Sequence, residues 1–93
     1  MGPNHVEVAI VLEALALLYY KQRKYAEAEP LYKRSLTILE KALGPDHFET
    51  ATCLNNLALL YEDQRKYDEA ESFFKRALSI TEKTLRADNP RLA

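Results

Sequence analysis

The tetrapeptide Gln-Arg-Lys-Tyr occurs at 22–25 and again at 64–67, and the same 42-residue shift aligns the chain with itself throughout. Gly2-Pro3-Asn4-His5 falls on Gly44-Pro45-Asp46-His47, and Leu15-Ala16-Leu17-Leu18-Tyr19 falls on Leu57-Ala58-Leu59-Leu60-Tyr61. About 25 of the 42 paired positions are identical, the mark of a tandem array. A repeat this long is one supersecondary unit that buries its apolar side only by lying against a neighbour. The register divides the chain into units at 2–43 and 44–85, with 86–93 as a linker and the start of a third. Asp88 matches Asp46 there and Ala93 matches Ala51, so the chain reads as an excised or designed segment of a longer array.

Each unit carries two helical stripes. In the second unit Ala51, Leu54, Leu57, Ala58 and Tyr61 follow the i, i+3, i+4 spacing of an amphipathic helix. After a break at Gln64-Arg65-Lys66 the stripe resumes as Tyr67, Ala70, Phe74, Ala77, Leu78, Thr81 and Leu85. The first unit repeats this with Leu12, Leu15, Ala16 and Tyr19, then Tyr25, Ala28, Tyr32, Ser35, Leu36, Leu39 and Leu43. Asn4 and Asp46 each precede a glutamate by three residues, Glu7 and Glu49, which predicts N-caps with a reciprocal partner. Gly44-Pro45 separates the units, since Gly suits a helix C-terminus and Pro cannot continue one. Pro30 falls within the second helix of unit one, where it would bend the first turn or shift its start. No strand signal is present, and the expected fold is all-α: four helices in tandem antiparallel hairpins and the start of a fifth.

Composition narrows the function. Thirteen basic and fourteen acidic residues leave a net charge of −1, without the basic stripe that a phosphate backbone requires, so nucleic acid is not expected as a partner. The longest apolar run, Ala14 to Tyr20, is far short of the roughly 20 residues that span a bilayer, and no membrane association is expected. Cys53 is the single cysteine, which rules out an internal disulfide and points to a cytoplasmic setting. His5 and His47 are repeat-equivalent linker residues suited to local hydrogen bonds, and neither belongs to a metal-ligand pattern. Cys53 has no His–Asp partners for nucleophilic chemistry, and neither glycine-rich phosphate loop nor catalytic triad is apparent. Neither catalysis nor a cofactor is expected.

A helical hairpin with small residues set between bulky ones resembles the tetratricopeptide repeat. Leu54, Leu57-Ala58, Tyr61, Tyr67, Ala70, Phe74 and Ala77 follow that family's signature in unit two. Leu12, Leu15-Ala16, Tyr19, Tyr25, Ala28, Tyr32 and Ser35 follow it in unit one. The 42-residue length, with Asn55-Asn56-Leu57-Ala58-Leu59-Leu60-Tyr61 and Gly44-Pro45-Asp46-His47, is similar to the kinesin-light-chain type of this repeat. Arg23 and Arg65 stand in the turn where the family often has Gly.

The resemblance implies an α-solenoid scaffold that binds a peptide or partner protein on the concave face formed by the first helix of each unit. Off the packing stripe, that face comprises Ile10, Glu13, Leu17, Tyr20 and Lys21 in unit one. In unit two it comprises Thr52, Asn55, Asn56, Leu59, Glu62 and Asp63. An amide side chain both donates to and accepts from a peptide backbone, and in related domains an asparagine at the position of Asn56 holds bound peptide. Glu13 and Leu17 occupy places where basic residues would serve an acidic C-terminal tail, which disfavours that ligand. The ends carry a second expectation. The first helix is apolar on nearly all sides, and the last is expected to present Phe73, Leu78, Thr81 and Leu85 without a polar cap. An uncapped repeat array exposes such faces and self-associates, so a homo-oligomer is expected. The alternative reading of function is a designed or excised repeat fragment whose only activity is folding and self-association.

Overall fold

A computed structural model describes residues 5–88, which form four helices: α1 (His5–Lys21), α2 (Tyr25–Leu43), α3 (Phe48–Asp63) and α4 (Tyr67–Asp88). Among the described residues there is no strand. Each helix packs on its neighbour in sequence, α1 on α2, α2 on α3 and α3 on α4, so two hairpins are stacked in series. Asn4, the expected cap of α1, lies outside the described residues, as does the stretch from residue 89 onward.

The turns inside the hairpins are Schellman closures. In unit one the Lys24 N–H donates to the Tyr19 carbonyl at 2.8 Å, and the Arg23 N–H donates to Tyr20 at 2.9 Å. In unit two Lys66 donates to Tyr61 and Arg65 to Glu62, both at 2.9 Å. This closure needs a left-handed residue at its corner, and Arg23 and Arg65 both adopt φ +64°. An arginine held there costs about 1–2 kcal/mol relative to its ordinary conformation, which the hairpin packing offsets. Between the units Gly44 takes φ +97°. Its N–H donates to Glu40 at 3.0 Å, and its carbonyl accepts the Thr50 hydroxyl at 3.0 Å. Nothing lies within 4 Å of a Cβ placed there, so the position needs glycine for its backbone angle and not for space.

Asp46 is not the cap of α3. His47 occupies that place, and its Nδ1 accepts the Glu49 N–H at 3.0 Å. An imidazole nitrogen reaches this donor as well as a carboxylate does, and the Asp46 carboxylate pairs with Lys83 of α4 instead. Pro30 sits inside α2 without delaying its start, because α2 begins at Tyr25 as α4 begins at Tyr67. α4 continues three residues beyond Leu85, to Asp88.

The core divides into contiguous clusters. Ala16, Ala28, Tyr32, Leu57, Leu60, Tyr61 and Ala70 form the central one, linking all four helices. The alanines set the helix separation, and Tyr32 and Leu57 fill the space this leaves. Ala9, Leu39 and Cys53 close one side, and Ala51, Leu54, Ala77 and Ile80 the other. Phe73 faces inward, edge-on to Tyr61 with centroids 5.2 Å apart, and is not part of the terminal surface where the periodicity placed it. Its neighbour Phe74 lines that surface.

Candidate functional site

Glu13 and Asn56 lie 43 residues apart in sequence and meet where α1 passes α3, with Asn56 Nδ2 donating to Glu13 Oε1 at 3.3 Å. Ser35, buried on α2, reaches the other carboxylate oxygen at 3.4 Å, although its closer partner is the Ala9 carbonyl at 2.9 Å. Three helices therefore fix one carboxylate. Around it is an open hollow of about 250 Å³ lined by Ile10, Glu13, Ala14, Leu17, Glu49 and Asn56. Three apolar side chains, two carboxylates and one amide face it, with no cation among the described residues. Burial raises the Glu13 pKa above the usual carboxylate range, the Glu49 charge adds to this, and the hydrogen bonds from Ser35 and Asn56 oppose it.

The residues expected to form a single groove are distributed over several places. Glu13, Leu17 and Asn56 share the hollow just described. Tyr20 packs beside Tyr25, with ring centroids 5.9 Å apart. The nearby Asp63 carboxylate, followed by burial, pushes the Tyr20 phenol up to about 12. Thr52 and Asn55 face a different cavity, of about 500 Å³, between α3 and α4. Glu62 borders a third, of about 310 Å³, with Tyr67, Phe74 and Leu78. Leu59 and Lys21 are exposed outside these hollows. Glu49 joins the site although its position suggested a cap partner. The signal was its seven-residue spacing from Asn56, which puts both on one side of α3.

Cys53 is fully buried, donates its S–H to the Tyr32 carbonyl at 3.4 Å, and is pushed up to about 12, chiefly by burial. Such a thiol is a packing group and not a nucleophile. Among the described residues no three of His, Cys, Asp and Glu are gathered as a metal would need, and no helix is long and apolar enough to cross a membrane.

A second polar constellation lies at the junction of the two units. Tyr61 Oη donates to Glu29 Oε2 at 2.6 Å, and Lys33 pairs with the same oxygen at 2.9 Å. The ammonium groups of Lys33 and Lys66 stand 5.7 and 5.6 Å from the centre of the Tyr61 ring. The Tyr61 hydrogen bond, helped by Lys33, holds the Glu29 carboxyl below its ordinary range. This group joins the hairpins and leads into the core.

A family model for the tetratricopeptide repeat matches residues 2–83. The chain belongs to the tetratricopeptide-repeat family. No curated protein matches it with significant similarity. Tetratricopeptide repeats are helical scaffolds that generally mediate protein–protein interaction, and their first helices contribute the hollow around Glu13 in this chain.

Proposed function

We propose that this tetratricopeptide-repeat pair, of the kinesin-light-chain type by its unit length, holds a peptide segment of a partner protein in the hollow between α1 and α3. The supporting observation is the pairing of Glu13 with Asn56 in a cationless hollow with apolar walls. An occupant matched to those walls carries an apolar side chain next to a lysine or arginine. Its apolar part packs on Ile10 and Leu17, and its cation replaces the missing counter-charge of Glu13 and Glu49. Asn56 spends one amide hydrogen on Glu13, so its second donor and its carbonyl are suited to a backbone.

The test is a titration of the isotope-labelled chain, read by amide chemical shifts, with two peptides. One alternates Lys and Leu; the other has Glu in place of Lys. Shifts at Ile10, Glu13, Leu17, Glu49 and Asn56 with the first peptide alone are expected. Losing the charge-assisted contacts in Glu13→Gln/Glu49→Gln should weaken that binding by about tenfold or more. Equal response to both peptides, or to neither, overturns the reading. A second reading, self-association through the repeat ends, is supported by the exposure of Val11, Leu18 and Leu78.

A further inference from the structure

The junction between the two units shows how one hairpin docks on the next, and among the described residues both of its halves recur, uncovered, on the outer faces of the two hairpins. On the docking side of α3, Cys53, Leu57 and Leu60 are 0% exposed. Forty-two residues earlier, Val11, Leu15 and Leu18 occupy the same helical positions on α1 at 66%, 39% and 50%. On the receiving side, Tyr32 and Leu39 of α2 are 1% and 0% exposed. Their equivalents Phe74 and Thr81 line the 500 Å³ cavity, and Leu78 beside them is 58% exposed.

The polar groups follow the same division. In the junction, Tyr61 with Lys66 comes from one unit, and Glu29 with Lys33 from the other. At the first end, Lys24 already stands 5.8 Å from the Tyr19 ring centre. At the other end, Lys75 already pairs with Glu71 at 3.2 Å. Arg76 pairs with Glu40 across the junction, and Arg34 and Glu82 hold the equivalent positions.

We propose that a second copy of this chain docks its α1 face, Val11, Leu15 and Leu18, onto the α3–α4 face around Phe74 and Leu78, repeating the junction between the units. The contact is head-to-tail. Tyr19 of the arriving copy donates to Glu71, and Arg34 pairs with Glu82. A heterologous contact of this kind leaves a free face at each end, so assembly continues beyond a dimer. It is weaker than the covalent junction, because Ala14 and Asn55 replace the hydrogen-bonded Asn56 and Glu13, and Thr81 replaces Leu39. Ala14 borders both this surface and the Glu13 hollow, whereas Val11, Leu15, Leu18 and Leu78 line no part of that hollow. The inference rests on the self-association reading and stands without the peptide-binding one.

Sedimentation velocity of the 93-residue chain tests it, with far-UV circular dichroism confirming helicity. The wild type should gain mass with concentration, past the dimer. Leu18→Glu blocks the arriving face and Leu78→Glu the receiving one, each at a half-exposed position that the hairpins do not need. Each variant alone should be monomeric, and their equimolar mixture should form a 1:1 dimer and nothing larger. If either substitution unfolds its chain, Val11→Glu and Leu85→Glu make the same pair of blocks. Tyr19→Phe should raise the dissociation constant about tenfold, the effect of one hydrogen bond to a charged group. A monomeric wild type, a single-face variant that still dimerises, or a mixture that stays monomeric overturns the proposal.

Discussion

Leu15 and Leu57 sit at the same point of the same repeat, in the same stretch Leu-Ala-Leu-Leu-Tyr, yet Leu57 is fully buried and Leu15 is 39% exposed. Their helices have the same inner side: Ala16 and Ala58 are both at 0%. The difference lies in whether a preceding hairpin is present. α3 has α2 to lie on, whereas among the described residues the equivalent side of α1 has no neighbour. In a stacked array, burial is therefore a property of the position in the stack, and sequence decides only which side is able to be buried.

The comparison breaks most readily at those two leucines. In the Leu78→Glu background, which keeps copies apart, Leu57→Ala should destabilise the chain by about 2–5 kcal/mol through lost burial and the cavity left behind. Leu15→Ala should cost under about 1 kcal/mol, in the range of partly solvated positions. Urea denaturation of both variants measures the difference. Against a total of about 5–14 kcal/mol for a chain this size, the first change is a large part of the stability. Equal losses at the two sites would mean that α1 is covered in the monomer by something other than its own repeat.

The fold was legible in the sequence for the reason that limits it. A 42-residue shift reveals a hairpin, its helices and its turn, because these follow from contacts inside one unit. Ala28, Tyr32, Ser35 and Leu39 were readable as the buried line of α2, and all four are buried. Contacts between units were less legible. Leu60 and Ile80 lie off the simple stripes but are buried at 0% and 2%, because α3 packs against helices on two sides and α4 turns toward Ala51 and Leu54. Phe73 and Phe74 are adjacent and chemically identical. The periodicity set Phe74 on the packing stripe and Phe73 on the terminal face, whereas both pack against the central cluster and Phe74 also lines the terminal hollows. At the site, Asn56 was identifiable from its residue type. Glu13 was identifiable as a residue of the same face and Glu49 from its seven-residue spacing. That Asn56 pairs with Glu13 opposite Glu49 depends on how α1 and α3 cross, which no local pattern records.

The tyrosines sharpen the same contrast at a smaller scale. Tyr61→Phe removes a hydrogen bond to a carboxylate, which for this partly exposed pair costs about 1–2 kcal/mol, allowing for solvent screening. The Glu29 pKa is lowered in the folded chain. Its contribution is therefore present above the ordinary value of 4.5 and is lost as the pH falls through the lower, folded value. The gap between wild type and Tyr61→Phe should be full at neutral pH and close in acid. Tyr19→Phe, with no such partner among the described residues, should leave monomer stability unchanged at either pH. A pH-independent gap at Tyr61 would show that ring packing, and not Glu29, makes the difference.

The smallest effect concerns the two carboxylates with opposite behaviour, Glu29 at the junction and Glu13 in the hollow. Glu13 has a raised pKa, from burial first and the Glu49 charge second. Its folded form holds a proton more readily than the unfolded chain does, so its ionised state opposes folding at neutral pH. That penalty is relieved as the pH falls through the folded value, and the relief is complete below the ordinary 4.5. Glu13→Gln keeps an acceptor for Asn56, turns its amide N–H toward the Ser35 oxygen, whose own hydrogen stays on the Ala9 carbonyl, and removes the charge. It should stabilise the chain at pH 7 by roughly a few tenths of a kcal/mol, the scale of a partly solvated charge interaction, and the gain should vanish in acid. The trend is opposite in sign to that of Glu29, and thermal melts of the two variants across the same pH series compare them directly. A destabilised Glu13→Gln at neutral pH would mean that the carboxylate holds α1 to α3 as a strut. The hollow would then be part of the fold's support and no longer a place whose unbalanced charge favours a cationic ligand.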